Sequence, residues 1–258
     1  TTSCITYIVQ RYEALMGMFF LLTLYCVIRG AQSSSRRVGW YSTAVAACIL
    51  GTGSKEVMLV APVAILAYDW LFLSSGNARQ LRGRWKLYAG LFLSWLLFAA
   101  LLAISKPTAD ISSSYALTYV WRGVSGAAYA ATQLEVVLRY LVLAVYPVNL
   151  CFDYWWPPAG MDLHLIPAAT VASAMILIAA VAVARRITWG YPLVWFLLVL
   201  APTSSIIPRP DPMAEYRMYL PLAGLAVLAA LMIDAVLSRF IASFPKGGSP
   251  STILTVIF

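Results

Sequence analysis

The chain contains several continuous apolar runs, each about as long as the α-helix that crosses a lipid bilayer. Hydrophobic residues make up 62% of its 258 residues and charged residues only 11%, with a mean hydropathy of +0.81. A soluble domain averages about 25% charged residues. Because the apolar runs are continuous rather than alternating in polarity, helices are favoured over a barrel of strands. The sequence therefore predicts an all-α, polytopic helical membrane protein.

We expect seven spans and one ambiguous segment. The ambiguous stretch 131–149 contains Gln133, Glu135 and Arg139, and we expect it to lie in the interface or to re-enter from outside. In the alternative, 131–149 crosses the bilayer and Arg185 moves with its basic loop to the outer side. The expected spans lie near 12–28, 38–53, 57–73, 87–104, 165–184, 189–206 and 218–237.

Both ends of the chain look cut. It begins at TTSC without a methionine, and residues 251–258, STILTVIF, have the composition of the start of a further span. We therefore expect residues 1–258 to be a fragment that forms a single transmembrane domain.

The basic residues predict which loops face the cytoplasm. If 131–149 does not cross, four basic loops share one side, which the positive-inside rule makes cytoplasmic. The net charge of +8 then reflects topology and gives no reason to expect a nucleic-acid partner. Eight of the ten acids face outward, which points to binding or chemistry there. The basic loops contain Arg29, Arg36 and Arg37; Arg79, Arg82, Arg84 and Lys86; Arg185 and Arg186; and Arg239 and Lys246.

Two short polar motifs lie at the outer ends of the first spans. Arg11 and Glu13 precede the first span, where they either bind a phosphate and a hydroxyl or serve as interfacial anchors. Lys55 and Glu56 lie at the tip of a tight hairpin. Lys55 can meet an anionic headgroup, whereas Glu56 at a helix start is also explained by the helix dipole.

Two further motifs lie later in the chain. Asp153 stands among aromatic residues in NLCFDYWW, as in sites that bind sugars, although an interfacial aromatic belt explains the same pattern. The segment Pro202–Pro221 carries Arg209, Asp211, Glu215 and Arg217. Its arginines can clamp a phosphate through their forked donors. Alternatively, Glu215 with Arg217, or Asp211 with Arg209, form internal ion pairs.

The cysteines and the histidine give no metal signature. The four cysteines lack CxxC spacing, and we expect Cys26 and Cys48 to be small packing residues. Nothing requires Cys4 and Cys151 to pair. His164 is the single histidine, so neither a metal site nor a catalytic triad is indicated.

Four stretches in order carry a family resemblance: YIVQRYEALMGMFF, GSKEVMLVAPVAILAYDWLF, YLVLAVYPVNLCFDYWW and PMAEYRMYLPLAG. Together they resemble the membrane domain of the transmembrane and tetratricopeptide-repeat O-mannosyltransferases and their bacterial relatives. The resemblance implies a GT-C type membrane fold that transfers a sugar from a polyprenyl-phosphate donor to protein hydroxyls on the outer or lumenal face. The positions that match the family's recurrent polar residues are Arg11, Glu13, Lys55, Glu56, Asp153, Glu215 and Arg217.

The chain departs from that family in two ways. The catalytic acid of GT-C enzymes usually lies in the first outer loop, which should precede Thr1, and the repeats should follow the last span. We therefore expect this fragment alone to be inactive. We expect the matched residues, with Arg209, to bind the donor phosphate and to support the site, while the general base stays unassigned.

The expected partners follow from the same resemblance. They are membrane lipid, the polyprenyl-phosphate sugar as donor and a protein acceptor, with no further cofactor and no metal. We expect a bacterial inner membrane rather than the endoplasmic reticulum, although either membrane would give these sequence features.

Two other functions are compatible with a helical membrane protein of this composition. A secondary transporter or lipid flippase would carry its polar site near the bilayer midplane, in broken helices. A non-catalytic scaffold for a repeat domain would tolerate loss of every charge named above. The polar residues of this chain gather at the outer ends of spans, which favours an enzyme at the interface.

The predicted topology can be tested by cysteine labelling. If Pro202–Arg217 faces outward, a cysteine placed at Ser205 reacts with a membrane-impermeant thiol reagent in intact cells. Labelling only after permeabilisation would contradict the topology.

Overall fold

A computed structural model describes residues 11–104, 125–148, 150–151, 154, 156–160, 162–206 and 211–242. Within these ranges the regular structure is helical throughout, which confirms the predicted all-α membrane fold. The α-helices are α1 Arg11–Gln32, α2 Arg37–Thr52, α3 Ala61–Tyr68, α4 Ala78–Gly83, α5 Trp85–Ile104, α6 Gly126–Val145, α7 Leu165–Ala184, α8 Tyr191–Leu200 and α9 Pro221–Ala242.

Shorter helical pieces extend three of these helices. A 3₁₀ helix, Glu56–Val60, leads into α3, and a π-helical turn, Asp69–Leu73, follows α3. The continuous helical stretch Glu56–Leu73 is thereby long and apolar enough to cross a membrane, as are α1, α6, α7 and most of α9. The 3₁₀ helices Thr188–Gly190 and Glu215–Met218 precede α8 and α9.

The predicted span 189–206 contains a shorter helix than expected. α8 ends at Leu200, and the residues after it form turns and bends. Pro202 is consistent with the early end, because proline lacks the N–H that a helix interior needs. The backbone therefore leaves the helix just before the segment that carries the outer charges.

The ambiguous segment 131–149 forms most of α6. The helix begins five residues earlier than 131, where the Ser125 hydroxyl oxygen accepts a hydrogen bond from the Ala128 N–H at 3.2 Å. It ends at Val145, before Pro147. By length and composition α6 could cross a bilayer, and an interfacial or re-entrant position stays a prediction.

α8 contributes to two apolar cores. Eight of its ten residues are buried, as expected for a helix that is apolar on all sides. Trp195 belongs to a core that α8 shares with α1, α2, α3 and α5, and its ring packs edge-on against Phe20. Phe196 points into a second core, with Val136 and Tyr140 of α6 and Met213. α8 thus joins the first half of the chain to the second.

At the predicted inner end, Asp69 organises a buried polar network. Its carboxylate accepts hydrogen bonds from Arg84 Nη1 at 2.5 Å, Ser74 Oγ at 2.6 Å and Tyr88 Oη at 2.5 Å. Arg84 also donates to Ser74 Oγ at 2.9 Å. The ion pair and its hydrogen bonds compensate the desolvation of a fully buried carboxylate. This network ties the π-helical turn to α5.

The close approach of α9 to α8 gives a stability prediction. A Cβ at Gly224 would lie 2.6 Å from the Pro192 carbonyl oxygen and 2.9 Å from Trp195, whereas a Cβ at Gly39 would meet nothing within 4 Å. Gly224→Ala should therefore lower stability by about 1–3 kcal/mol. Gly39→Ala is the matched control and should raise stability by up to about 1 kcal/mol through helix propensity. Equal melting temperatures for the two variants in detergent would contradict the packing.

Candidate functional site

The first two outer motifs meet in a buried ion pair. Glu13 lies in the first turn of α1, and Lys55 lies just before the 3₁₀ helix that begins at Glu56. Lys55 Nζ donates a hydrogen bond to Glu13 Oε1, and both side chains are buried. Each charge therefore offsets much of the desolvation cost of the other.

Two aromatic rings flank the ammonium group of this pair. Lys55 Nζ lies 5.2 Å from the ring centroid of Tyr12 and 5.3 Å from that of Tyr216. At these distances the faces of the rings attract the cation. Tyr216 belongs to the 3₁₀ helix Glu215–Met218, so Lys55 connects the N-terminal motifs to the segment that contains Arg217.

Arg217 is a buried cation bound to backbone oxygens. Its side chain donates from Nη1 to the Pro212 carbonyl at 3.2 Å and from Nη2 to the Asp211 carbonyl. The residue is only 7% exposed. Among the described residues, no carboxylate lies within ion-pair distance of its guanidinium. Two backbone carbonyls, the ring of Tyr216 and the more distant charge of Asp211 favour the cation in the described structure.

The carboxylate of Glu215 binds Tyr154 and Cys151 rather than Arg217. Its Oε1 accepts hydrogen bonds from Tyr154 Oη at 2.6 Å and from the Cys151 N–H at 2.9 Å. Burial and the hydrogen bond to this carboxylate raise the pKa of Tyr154 to about 12, so the phenol stays a donor at neutral pH. In the described structure Glu215 thus binds Cys151 and Tyr154, and the alternative of a Glu215–Arg217 ion pair is not formed.

One stripe of α6 lines the segment 211–214. Tyr129, Gln133 and Tyr140 lie on this stripe, at spacings of four and seven residues, and are buried. Gln133 Nε2 donates to the Pro212 carbonyl at 3.0 Å. Tyr140 Oη donates to the Ala214 carbonyl and accepts from the Ala214 N–H, each at 2.9 Å.

A second stripe of α6 holds the loop that follows it. Thr132 Oγ1 accepts a hydrogen bond from the Ala159 N–H at 2.9 Å, and Glu135 Oε2 accepts one from Trp156 Nε1 at 3.3 Å. α6 is therefore hydrogen-bonded both to the segment 211–214 and to residues 156 and 159. Sequence reasoning noticed polar residues here without assigning them a role, and their helical spacing was the available signal.

The remaining predicted site residues differ in their placement. Arg11 is the exposed first residue of α1. Glu56 is half-buried at the start of its 3₁₀ helix, a position that the helix dipole favours for an acid. Asp153 and Arg209 lie outside the described residues.

Histidine and cysteine have no metal-binding arrangement in the part of the chain that the structure describes, where no three His, Cys, Asp or Glu side chains form a metal cluster. His164 is exposed before α7. Cys26 and Cys48 are buried in the apolar core, as predicted. Cys151 is exposed, and Cys4 lies outside the described ranges.

The comparisons with known proteins give one match. Residues 3–104 match the family described as dolichyl-phosphate-mannose-protein mannosyltransferase. The matched region runs from before α1 to the end of α5 and contains Arg11, Glu13, Lys55 and Glu56, but it is less than half of the chain. Neither the curated proteins nor the solved structures give a match. The family match and the apolar helices support an integral, multi-pass membrane glycosyltransferase of the mannosyltransferase type.

The buried ion pair gives a stability prediction. Glu13→Leu alone leaves the Lys55 ammonium buried without its carboxylate and should cost about 3–5 kcal/mol, as should Lys55→Met alone. The double variant removes both charges and should recover most of that loss. Melting temperatures of the three purified variants in one detergent give the comparison. Additive losses in the double variant would contradict the pair.

Proposed function

We propose that the chain is the membrane part of a glycosyltransferase that moves a mannose-like sugar from a polyprenyl-phosphate donor to a protein hydroxyl on the outer or lumenal face. The observation that carries this proposal is Arg217, a buried guanidinium without a carboxylate partner among the described residues. The family match at residues 3–104 supports the reaction class.

Arg217 has the properties of an anion-binding group. A guanidinium has five N–H donors, and two of its nitrogens already bind the carbonyls of residues 211 and 212. These two hydrogen bonds fix the orientation of the planar fork before a ligand arrives. A phosphate oxygen would bind the remaining donors in a poorly hydrated place, where charge-assisted hydrogen bonds are strong. We assign Arg217 to the donor phosphate.

Lys55 has a different role in this proposal. Since Glu13 already neutralises its charge, Lys55 adds little net attraction for an anion. Its contact with Tyr216 positions the 3₁₀ helix on which Arg217 lies. Arg11 and Glu56 are less buried and belong at the rim, where they meet the donor headgroup.

The reaction requires a group that stabilises the leaving phosphate. The bond between sugar C1 and the phosphate oxygen breaks, a bond from C1 to the acceptor hydroxyl oxygen forms, and the acceptor loses its proton. The lipid leaves as a phosphate monoester with one more negative charge. Arg217 stabilises that developing charge. A carboxylate acts as the general base and takes the proton.

We also propose a narrower family assignment and a fold type. The four ordered motifs favour the transmembrane and tetratricopeptide-repeat O-mannosyltransferases or their bacterial relatives, and a GT-C type fold. The basic loops, taken as cytoplasmic, support a site on the outer face. We also propose a bacterial inner membrane rather than the endoplasmic reticulum, a choice that the basic loops do not decide.

The role of Arg217 can be tested in membranes that contain the full-length protein. Labelled polyprenyl-phosphate sugars are supplied and the label is followed into protein. Arg217→Gln should lower kcat by about 100-fold or more, because removal of one preorganised donor typically costs about 10²–10³ in rate. Arg217→Lys keeps the charge without the fork and should fall between Arg217→Gln and the wild type.

The matched control removes an arginine from the predicted cytoplasmic side of the protein, away from the proposed site. Arg82 is exposed on the short helix α4, in a segment predicted to be cytoplasmic, and Arg82→Ala should keep full transfer. Expression and melting temperature are measured for each variant, since Arg217 also holds residues 211 and 212. Unchanged transfer by well-folded Arg217→Gln would contradict the assignment. No transfer by the wild type from any donor would favour a transporter or a scaffold.

A further inference from the structure

Gln133 has a buried acceptor that the described protein leaves unused. The residue is only 3% exposed, on the stripe of α6 that lines residues 211–214. Its Oε1 is buried and receives no hydrogen bond within the described structure. A buried acceptor without a donor is destabilising, because it has lost its hydrogen bonds to water and gained none from the protein.

The orientation of the amide is fixed by its other hydrogen bond. Nε2 donates to the Pro212 carbonyl at 3.0 Å. A carbonyl oxygen can only accept, so a flipped amide would place two acceptors against each other and lose this bond. Oε1 is therefore the atom that remains available to a donor.

The unused acceptor lies beside the proposed phosphate site. Arg217 Nη1 and Gln133 Nε2 donate to the same Pro212 carbonyl oxygen, at 3.2 and 3.0 Å. The two side chains are thus neighbours, joined through one atom. Their chemistry is complementary, since Arg217 supplies only donors and Gln133 Oε1 only accepts.

We propose that Gln133 Oε1 accepts a hydrogen bond from a hydroxyl of the donor's sugar, and that Gln133 is a specificity-determining residue for that sugar. The inference rests on the proposed function, in which Arg217 binds the donor phosphate. The sugar is joined directly to that phosphate, so its hydroxyls lie within reach of a side chain that shares a backbone oxygen with Arg217. A site that hydrogen-bonds a substrate hydroxyl discriminates strongly against an analogue without it.

Tyr140 provides the matched control on the same helix. Its hydroxyl is fully used by the backbone of Ala214, as donor and as acceptor. Tyr140→Phe therefore disturbs the segment 211–214 without removing a group that could read a sugar. Its effect on transfer should be the same for every donor.

The experiment pairs these variants with deoxy sugars, in membranes that contain the full-length protein. The wild type, Gln133→Leu and Tyr140→Phe are assayed with polyprenyl-phosphate mannose and with its 2-, 3-, 4- and 6-deoxy forms, and kcat and KM are measured separately. With mannose, Gln133→Leu should lower kcat/KM by about 10-fold to 100-fold. With one of the deoxy donors, the same substitution should change kcat/KM by less than about 2-fold, because the partner hydroxyl is already absent.

Three outcomes would overturn the inference. The first is an equal loss for Gln133→Leu with every donor, which would mean that Gln133 is structural, holds a buried water or binds the acceptor hydroxyl. The second is no loss with mannose. The third is a deoxy donor with which the loss in kcat/KM caused by Tyr140→Phe also disappears.

Transfer by the wild type tests the proposed function separately from the inference about Gln133. If the wild type does not transfer, donor binding is measured as the rise in melting temperature with each polyprenyl-phosphate sugar, and the same comparison of variants applies. Binding that couples Gln133 to one hydroxyl would then support the inference without the activity. A wild type that neither transfers nor binds would contradict both.

Discussion

The cost of burying charge in a membrane protein explains how the outer end of this structure is built. Glu13 and Lys55 come from segments that are 42 residues apart, yet they are buried against each other. Each would be expensive alone. Their pairing fixes the hairpin tip against the start of α1, and the contact of Lys55 with Tyr216 extends that order to the segment before α9. The position of Arg217 depends on this chain of contacts.

Arg84, which is half-buried, and Arg217, which is buried, show what distinguishes a structural charge from a candidate binding group. Arg84 lies against the Asp69 carboxylate, and Ser74 and Tyr88 complete its network. Arg217 is at least as buried, but its described hydrogen bonds go to backbone carbonyls. A carbonyl dipole compensates a full charge less well than a carboxylate does. This difference is why we propose Arg217, rather than Arg84, as the group that binds an anionic substrate.

Sequence reasoning predicted the helical membrane fold because apolar run length is a direct consequence of bilayer thickness. It also singled out Glu13, Lys55 and Arg217, since charges beside long apolar runs are rare. The sequence did not predict which residues these side chains contact. The contacts of Lys55 with Glu13 and of Glu215 with Tyr154 are long-range and are set by helix packing. Gln133 was named as a polar residue of the stretch 131–149 but received no role for the same reason: helical spacing places it on a stripe of α6, whereas its hydrogen-bond partners depend on how the helices pack.

The central claim is that Arg217 binds the phosphate of a polyprenyl donor, and ligand-induced stabilisation tests it most directly. The melting temperature of the full-length protein is measured with polyprenyl phosphate and with the neutral polyprenol of the same length, for the wild type and for Arg217→Gln. The account predicts that the phosphate stabilises the wild type more than the alcohol does, and that Arg217→Gln abolishes this difference. Equal stabilisation by the two lipids, or a difference that survives in Arg217→Gln, would contradict it.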